Sequence, residues 1–478
     1  MILPPKRRLF ALALALSPFA RPARASSWVP FAEYGELGRT VVECRPALAW
    51  TAAGLPVAAW SEGGMGDTSP AHAISLGWFD AAGTLSTAEI TPIPLTDSAA
   101  VELIMRPGDR PLVLFVQNTE KPGSRRLMAA RSERLGGPWQ IETVADEGGM
   151  VALSAAAVGD TGLARVAWYD STLFSLWFAE ERADGGWDVE LVTASGGRHQ
   201  SLLTLPDGRP WLAFQGADAA TLWFAERLPE GWATEAVAPG GGWASAALDA
   251  AGEPAVAHVD PLAEQVLFQP FVGGQPLQPQ LAYAGVATHT ALAFDPVGRP
   301  HIAMSRSELV KDPWGQDGTL FTLEIRSPDP GSGEWAASEV DQNLMGGVAA
   351  GCVRAALTHA SLDWSPQGLP AILYQEHCTA HPSAHRSVLL AFLARPWEAG
   401  GQPVITGIEP ATGGALAVSW SAQPDACYSL WLRLAPGLAW TRAANGLCAG
   451  PGQHAFTFEI PADTLDGAGW VRVAHDYP

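Results

Sequence analysis

Short apolar segments that follow a glycine–proline turn recur along the chain. The clearest is the turn Gly208-Arg-Pro210, which leads directly into the apolar run Trp211-Leu-Ala-Phe214. Proline presets the turn and glycine supplies backbone freedom, so both suit the start of a strand. The pattern occurs at residues 54–60, 108–115, 162–168, 207–215, 252–258, 298–304 and 368–374. A period of roughly 45–65 residues built from short strands is typical of a β-propeller.

The fourth repeat shows the whole unit. Residues 221–227 alternate between apolar and polar side chains, as a half-buried strand does. Together with its neighbours this segment predicts four strands, at residues 201–205, 211–214, 221–227 and 232–237. Applied to every repeat, the unit predicts an all-β, seven-bladed β-propeller over residues 26–404. The predicted blades are 42–97, 98–147, 148–195, 196–240, 241–285, 286–346 and 347–404.

The segment after residue 26 predicts how the ring closes. Residues 27–33 resemble the last strand of a later repeat, residues 186–192, yet they precede the first repeat. We therefore expect an N-terminal strand to complete the final blade and remove a free sheet edge. Trp397, which follows the last repeat, is the alternative for that role.

Residues 405–478 have a different pattern. Apolar segments at 415–420, 428–433, 454–460 and 469–474 predict the short strands of a small β-sandwich. This stretch resembles a fibronectin-type or immunoglobulin-like module by its pattern alone. We expect Cys427 and Cys448 to form a disulfide within it.

The first 25 residues predict an export signal. Lys6-Arg-Arg8 precedes an apolar run, and Ala23-Arg-Ala25 is a small-x-small cleavage site, so Ser26 is the expected mature start. The run is too short to anchor the chain in a bilayer. Residues 7–10 also resemble the twin-arginine export motif. That route and an ordinary secretory signal both remain open, and either one predicts a periplasmic or secreted protein.

The formal net charge of −20 narrows the choice of partners. Phosphate contacts need lysine and arginine, so an acidic chain argues against nucleic acid and anionic membranes. No other segment is long and apolar enough to predict a membrane span. We expect a small-molecule, carbohydrate or protein ligand.

One column of residues is the candidate functional site. Counting back eleven residues from each turn proline gives one position per readable repeat, at the start of its first strand. These positions hold Arg45, Ala100, His199, Trp243, His289 and His359. Histidine occurs only 11 times in the chain, and three copies share this column. We therefore predict a ligand site at the channel mouth, formed by Arg45, His199, Trp243, His289 and His359.

The histidines leave two interpretations open. Neutral imidazole binds copper or zinc, so His199, His289 and His359 are candidate metal ligands, with His377 and His381 in a nearby loop. Alternatively, they are structural residues that hydrogen-bond a neighbouring blade. For the loop, the competing interpretation is a Cys352–Cys378 disulfide beside exposed histidines, which leaves Cys44 free.

The repeats resemble secreted bacterial propellers of the sialidase-like superfamily. Residues 249–254 and 295–300 keep only the Asp and Gly of the Ser-x-Asp-x-Gly-x-x-Trp turn of that group. The arginine triad and tyrosine nucleophile of sialidases cannot be assigned. The resemblance therefore implies the fold and leaves activity aside.

Two functional hypotheses follow. The first is an exported, non-catalytic ligand-binding or scaffold propeller that uses the face around its channel. The second is a metal- or histidine-dependent enzyme at the same mouth, either a carbohydrate hydrolase or lyase or a metal-centre oxidoreductase. The chain has no Gly-x-Ser-x-Gly elbow, phosphate loop, dinucleotide fingerprint or His-Glu-x-x-His motif. These absences favour the first hypothesis.

Overall fold

The computed structural model describes 21 segments of the chain, and all statements below concern these residues. They are 28–30, 38–39, 45–62, 72–79, 85–93, 100–119, 121, 124–158, 161–311, 317–329, 331–345, 355–366, 368, 370–378, 385–393, 405–410, 416–421, 427–433, 441–448, 455–460 and 470–476. Within them every regular element but a short helical turn is a strand. No helix among these residues is long and apolar enough to cross a membrane.

The strands from residue 28 to residue 393 form seven antiparallel sheets in the described segments. Two short strands come first, β1 (Trp28–Pro30) and β2 (Gly38–Arg39). The first sheet is β3 (Ala47–Trp50), β4 (Pro56–Glu62), β5 (His72–Phe79) and β6 (Leu85–Ile93). The second is β7 (Val101–Arg106), β8 (Arg110–Asn118), β9 (Arg125–Arg131) and β10 (Gln140–Gly148).

The next three sheets follow in chain order. The third is β11 (Met150–Val158), β12 (Leu163–Asp170), β13 (Ser175–Glu181) and β14 (Trp187–Thr193). The fourth is β15 (Arg198–Thr204), β16 (Pro210–Gln215), β17 (Thr221–Leu228) and β18 (Gly231–Pro239). The fifth is β19 (Gly242–Leu248), β20 (Pro254–Asp260), β21 (Gln265–Val272), β22 (Gln275–Pro276) and β23 (Gln280–Ala284).

The last two sheets complete the series. The sixth is β24 (Ala287–Phe294), β25 (Pro300–Lys311), β26 (Asp317–Pro328) and β27 (Trp335–Met345). The seventh contains β28 (Ala355–Trp364), β29 (Pro370–Cys378) and β30 (His385–Leu393). Both N-terminal strands pair with β30, and Trp28 lies opposite Leu393. The predicted closure by an N-terminal strand is thus confirmed. Trp397 lies outside the described residues.

Buried apolar clusters show that these sheets form a ring. Each cluster draws its side chains from two neighbouring sheets. One cluster joins the seventh sheet to the first, where Leu373 packs with Trp60. The first strands also contact one another in order, and β28 contacts β3. The prediction of an all-β propeller is therefore confirmed.

The repeated turn has the backbone that its glycine predicts. All seven repeat glycines have positive φ, from 63° at Gly162 to 86° at Gly208. Side chains other than glycine rarely adopt this region. The second strand that follows is strongly buried in several sheets, because both its faces meet a neighbouring sheet. All residues of β16 and β20 are buried.

Two irregular sheets follow from their sequences. The glutamine-rich stretch of the fifth repeat splits the outer strand into β22 and β23, both paired with β21. In the sixth repeat, β25 and β26 are each 12 residues long and pair as far as Lys311 and Asp317.

Residues 405–476 contribute two further sheets. One contains β31 (Ile405–Pro410), β32 (Leu416–Ser421) and β35 (Ala455–Ile460). The other contains β33 (Cys427–Arg433), β34 (Thr441–Cys448) and β36 (Trp470–Asp476). Cys427 lies opposite Cys448 in the backbone register. Their disulfide stays a prediction, because their side chains are not described. A Cys352–Cys378 pair and a free Cys44 also stay predictions, because Cys44 and Cys352 lie outside the described residues.

Candidate ligand site at the mouth of the ring

A cavity of about 520 Å³ lies where the first strands begin, and we call this end of the ring the mouth. Its wall is formed by residues at the mouth ends of the second to seventh sheets and by Arg45, which precedes the first sheet. The lining residues are Arg45, Ala100, Val101, Glu102, Ala152, Leu153, Tyr169, Ser171, Arg198, His199, Gln200, Trp243, Ala244, His289, Thr290 and Ala360. Five residues of the predicted column therefore share one cavity: Arg45, Ala100, His199, Trp243 and His289.

The rest of the sequence-predicted residues are only partly placed. His359 lies in β28, next to the cavity-lining Ala360, but its side chain is not described. His377 lies in β29, and its side chain is likewise not described. His381 lies outside the described residues. In the third sheet, where the turn has no proline, Ala152 occupies the column.

In four of the seven sheets, a repeated β-bulge sets the column apart from the rest of the first strand. In β15 the register jumps between Arg198 and Ser201, so two residues face one on the partner strand. Equivalent jumps occur in β19, β24 and β28. The bulged residues His199, Trp243 and His289 have φ of 51°, 53° and 58°. This conformation costs a non-glycine residue about 1–3 kcal/mol, and such strain is often retained at functional sites.

Three bulged side chains form an aromatic stack. The His199 ring stacks on the Trp243 indole, with centroids 4.2 Å apart and planes 23° apart. The centroid of His289 lies 3.8 Å from that of Trp243. Because Trp243 belongs to the sheet between those of the two histidines, its indole links the imidazoles. The predicted cluster of imidazoles is thus a mixed aromatic wall in the described part of the mouth.

The charges of the site include one that the sequence analysis missed. Arg45, Arg198 and Glu102 line the cavity. Burial raises the pKa of Glu102 to about 7, although the positive charge of Arg45 opposes this rise. The guanidinium carbon of Arg198 lies 5.7 Å from the centroid of the Tyr169 ring. Among the described residues, none of these three charged side chains forms an ion pair.

The polar groups beside the stack are incompletely satisfied. Burial, and next the charge of Arg198, lower the pKa of His199 to about 4, so its imidazole is neutral at pH 7. Its Nδ1 has no hydrogen-bond partner among the described residues, and neither does Oε1 of Gln200. Gln200 is 5 % exposed. Such buried atoms are rare in folded proteins and call for an explanation such as a bound ligand or water.

Glu102 occupies a position at which other sheets have a serine. Two residues after the column, Ser154, Ser201 and Ser245 each accept a hydrogen bond from the next first strand. The donors are the backbone amides of Leu202, Ala246 and Leu292, at 2.9, 2.9 and 3.0 Å. Glu102 holds this position in the second sheet. Counting back nine residues from each turn proline would have revealed it as the one charge in a column of small residues.

The metal prediction stays a prediction. In the described part of the chain no three His, Cys, Asp or Glu residues are grouped to hold a metal ion. The side chains of three candidate ligands, His359, His377 and His381, are not described. The imidazoles of the other two, His199 and His289, both contact the Trp243 indole.

No family model matches the chain. No curated protein matches it either. Solved structures that resemble it include a polysaccharide lyase, at 10 % identity and a TM-score of 0.41, over 73 % of this chain and 89 % of that one. Another is the NanB sialidase from Streptococcus pneumoniae, at 10 % identity and a TM-score of 0.37, over 72 % and 67 %.

A third is an α-L-arabinofuranosidase from Fusarium graminearum, at 12 % identity and a TM-score of 0.40. The similarity covers 66 % of this chain and 96 % of that one. At such scores the likenesses carry no argument about what this chain binds. The site must be interpreted from its own residues.

Proposed function

We propose that this protein binds a small hydroxylated anion, of the class of acidic sugars, in the cavity at the mouth. The observation that carries the proposal is the presence of Arg45 and Arg198 in one cavity, with no ion pair in the described residues. Arginine binds carboxylates through paired N–H donors, and these hydrogen bonds are stronger than neutral ones. Carboxylates are abundant in this acidic chain, yet none of those described pairs with these two guanidinium groups. Their position therefore suits an anion from solution.

The aromatic wall supplies the second half of the recognition. A carboxylate alone would need only the two arginines, whereas the wall adds imidazole, indole and amide groups from His199, Trp243 and Gln200. Neutral imidazole both donates and accepts hydrogen bonds, as a sugar hydroxyl does. A cavity of about 520 Å³ is in the range of small-ligand sites. Sugar acids combine these features in one molecule.

The direct test is calorimetric titration of the full chain with D-glucuronate at pH 6. We expect binding that Arg45→Met and Arg198→Met each weaken about tenfold or more, since charged hydrogen bonds contribute about 1.5–3 kcal/mol. D-Glucose is the neutral ligand control. Arg182→Gln is the protein control, because its ion pairs in the described structure are with the exposed Asp184 and Asp188. Equal binding of glucose, or no effect of either arginine substitution, would refute the proposal.

An acid–base enzyme is the second candidate, and Glu102 favours it. A carboxyl with a pKa of about 7 is half protonated at neutral pH and can donate a proton in catalysis. Among the described residues it is the only carboxyl that lines the cavity. A mechanism with two carboxylates is therefore not supported there. The test is turnover of uronic-acid polysaccharides by the native chain and by Glu102→Gln, and turnover that the variant retains argues against this role.

The metal-dependent form of the enzyme hypothesis needs its own test. We expect metal analysis of natively exported protein to decide it. Stoichiometric copper or zinc that is lost in a His199→Ala, His289→Ala and His359→Ala variant would support a metal centre. Sub-stoichiometric metal, unchanged in that variant, would remove the hypothesis.

The proposal includes the organisation of the chain. The seven ring sheets are the blades of one closed propeller, and residues 405–478 form a β-sandwich module that docks or spaces the propeller. Residues 1–25 direct export to the periplasm or the medium and are removed after Ala25. Mass spectrometry of the exported protein checks this last point, and a mature chain that still begins at Met1 contradicts it.

A further inference from the structure

We propose that Glu102 is a further ligand-binding residue of the cavity and takes up a proton when an anion binds beside Arg45. This inference rests on the proposed anion-binding function and concerns the same cavity. It adds a residue that the column does not contain, and it makes affinity depend on pH.

The position of Glu102 suggests a role beyond packing. In the third, fourth and fifth sheets the equivalent residue is a serine that hydrogen-bonds the neighbouring first strand. Serine is short enough to complete this bond within the ring. A glutamate is two atoms longer, and Glu102 lies in the cavity wall. It brings an ionisable group to a place where the scaffold itself uses a hydroxyl.

The relation between Glu102 and Arg45 leaves room for a ligand. Both side chains line the cavity, and their charges interact. They do not approach within ion-pair distance of each other in the described structure. The arginine is therefore not neutralised by the glutamate at short range. An anion that pairs with Arg45 adds a negative charge close to the carboxyl of Glu102.

The direction of the coupling follows from the charges. In the free protein burial raises the pKa of Glu102, and Arg45 partly offsets that rise. An anion that neutralises Arg45 cancels the offset and repels the ionised carboxylate. The pKa of Glu102 must therefore rise further in the complex. Near pH 7 and above, binding then proceeds with uptake of a proton, and affinity falls as the pH increases.

Other titratable or charged groups face the cavity from neighbouring strands and must be separated from Glu102. They are Arg45 before β3, Tyr169 in β12, Arg198 and His199 in β15, and His289 in β24. The pKa of His199 is about 4, so its titration lies below a window of pH 6 to 9. The remaining groups are all present in a Glu102 variant. Any pH dependence that they cause would survive there.

The experiment is calorimetric titration of the full chain with D-glucuronate from pH 6 to pH 9. At pH 7.5 it is repeated in two buffers of different ionisation enthalpy, which counts the protons. We expect uptake of about half to three-quarters of a proton at pH 7.5, because about three-quarters of Glu102 is ionised in the free protein at that pH. With a pKa of about 7, only about 3 % of Glu102 is neutral at pH 8.5, so affinity there should be at least tenfold below that at pH 6.

Two variants isolate the carboxyl. Glu102→Gln keeps the shape and stays neutral, so its own affinity should change less than about twofold between pH 6 and pH 8.5. Glu102→Ser restores the residue of the other sheets and should also remove the proton uptake. Glu133→Gln, whose side chain is 87 % exposed, is the matched control and should keep the native profile.

The outcomes separate the two proposals. If D-glucuronate fails to bind at every pH, the anion-binding function itself is wrong. If it binds with no proton uptake, or if Glu102→Gln keeps the native pH profile, anion binding stands and the role of Glu102 is wrong.

Discussion

The charged residues that line the cavity differ from those around the repeated turns at the other end of the ring. At the mouth, Arg45, Arg198 and Glu102 line a cavity and form no ion pair within the described residues. At the other end, where the repeated turns lie, charged groups are tied together. Arg106 pairs with Glu181 at 2.6 Å, and Arg299 pairs with Asp295 at 2.7 Å. The same ring thus has ion-paired charges near its turns and, at the mouth, a cavity whose three charged residues form no ion pair within the described residues.

The cluster between the second and third sheets shows how charges are paired at the turn end. The Glu181 carboxylate binds Arg106 and Arg131 and also accepts a hydrogen bond from the amide of Ala164, 2.9 Å away. Arg131 also pairs with Glu142, whose carboxylate accepts a hydrogen bond from the Trp187 indole at 2.7 Å. We therefore associate the charges of the cavity, which form no ion pair in the described residues, with the ligand site that we propose.

The largest effect on the free energy of unfolding should come from removing the ion pairs of Glu181. Glu181→Ala leaves two partly buried guanidinium groups without their carboxylate, and we expect a loss of about 3–5 kcal/mol in the free energy of unfolding. Urea denaturation measures it. Glu133→Ala is the control, because its ion pair is 3.5 Å long and exposed, and it should cost less than about 0.5 kcal/mol. A loss below about 1 kcal/mol for Glu181→Ala would show that pairing does not stabilise this end.

Acid should destabilise the ring through a buried histidine near the mouth. His258 is fully buried, and its Nδ1 accepts a hydrogen bond from the amide of Gly241. Burial lowers its pKa to about 4, whereas an unfolded chain has the ordinary value near 6.5. The unfolded state therefore binds more protons between these values. Stability is complete above pH 6.5 and falls, by up to roughly 3 kcal/mol, as the pH drops to 4.

His258→Gln tests that assignment. Denaturation curves from pH 4 to pH 7 should have a shallower slope in the variant than in the native chain. An identical slope would mean that another side chain causes the loss of stability in acid. His199 is the first candidate, because its pKa is also about 4.

A smaller loss is expected from the serine series that joins the sheets below the mouth. Ser201→Ala leaves the amide of Ala246 without its hydrogen bond and should cost about 1–2 kcal/mol. Thermal unfolding measures it, with the exposed Ser195→Ala as control. If both variants unfold at the same temperature, the serine bond contributes nothing to the ring.

The smallest effect should be found at the mouth itself. Arg45→Met removes no ion pair of the described structure, so we expect the free energy of unfolding to change by less than about 0.5 kcal/mol. The same variant should lose most of its affinity for D-glucuronate. A loss of more than about 1.5 kcal/mol in urea would make Arg45 a structural residue and remove the contrast between the ends.

The sequence predicted the scaffold well because the residues of the turns identify each repeat. A glycine with positive φ precedes the second strand of every ring sheet, and a proline follows it in six of the seven repeats, so boundaries such as 210–215 could be read directly. The residues on the column, including His199 and His289, were found by measuring from those prolines. The bulge that gives them positive φ has no mark of its own in the sequence.

What the sequence could not supply was the relation between side chains. The histidines suggested a metal centre, but the Trp243 indole contacts both described imidazoles. Arg198 precedes the column by one residue and reaches the cavity only because the strand bulges there. Glu102 was overlooked because a single glutamate in an apolar strand resembles an ordinary half-exposed residue. Its raised pKa depends on burial, which only the folded ring creates.

The pairing of β1 with β30 has a kinetic consequence. Every other sheet of the ring joins strands that are close in sequence, whereas this one joins Trp28 to Leu393, from opposite ends of the propeller. Such distant pairing carries the greatest loop-closure entropy and forms slowly. Six sheets can therefore assemble as a curved stack while the last one still has an open edge. The rate at which β1 pairs with β30 should determine how long an incomplete ring is exposed to proteases and to aggregation.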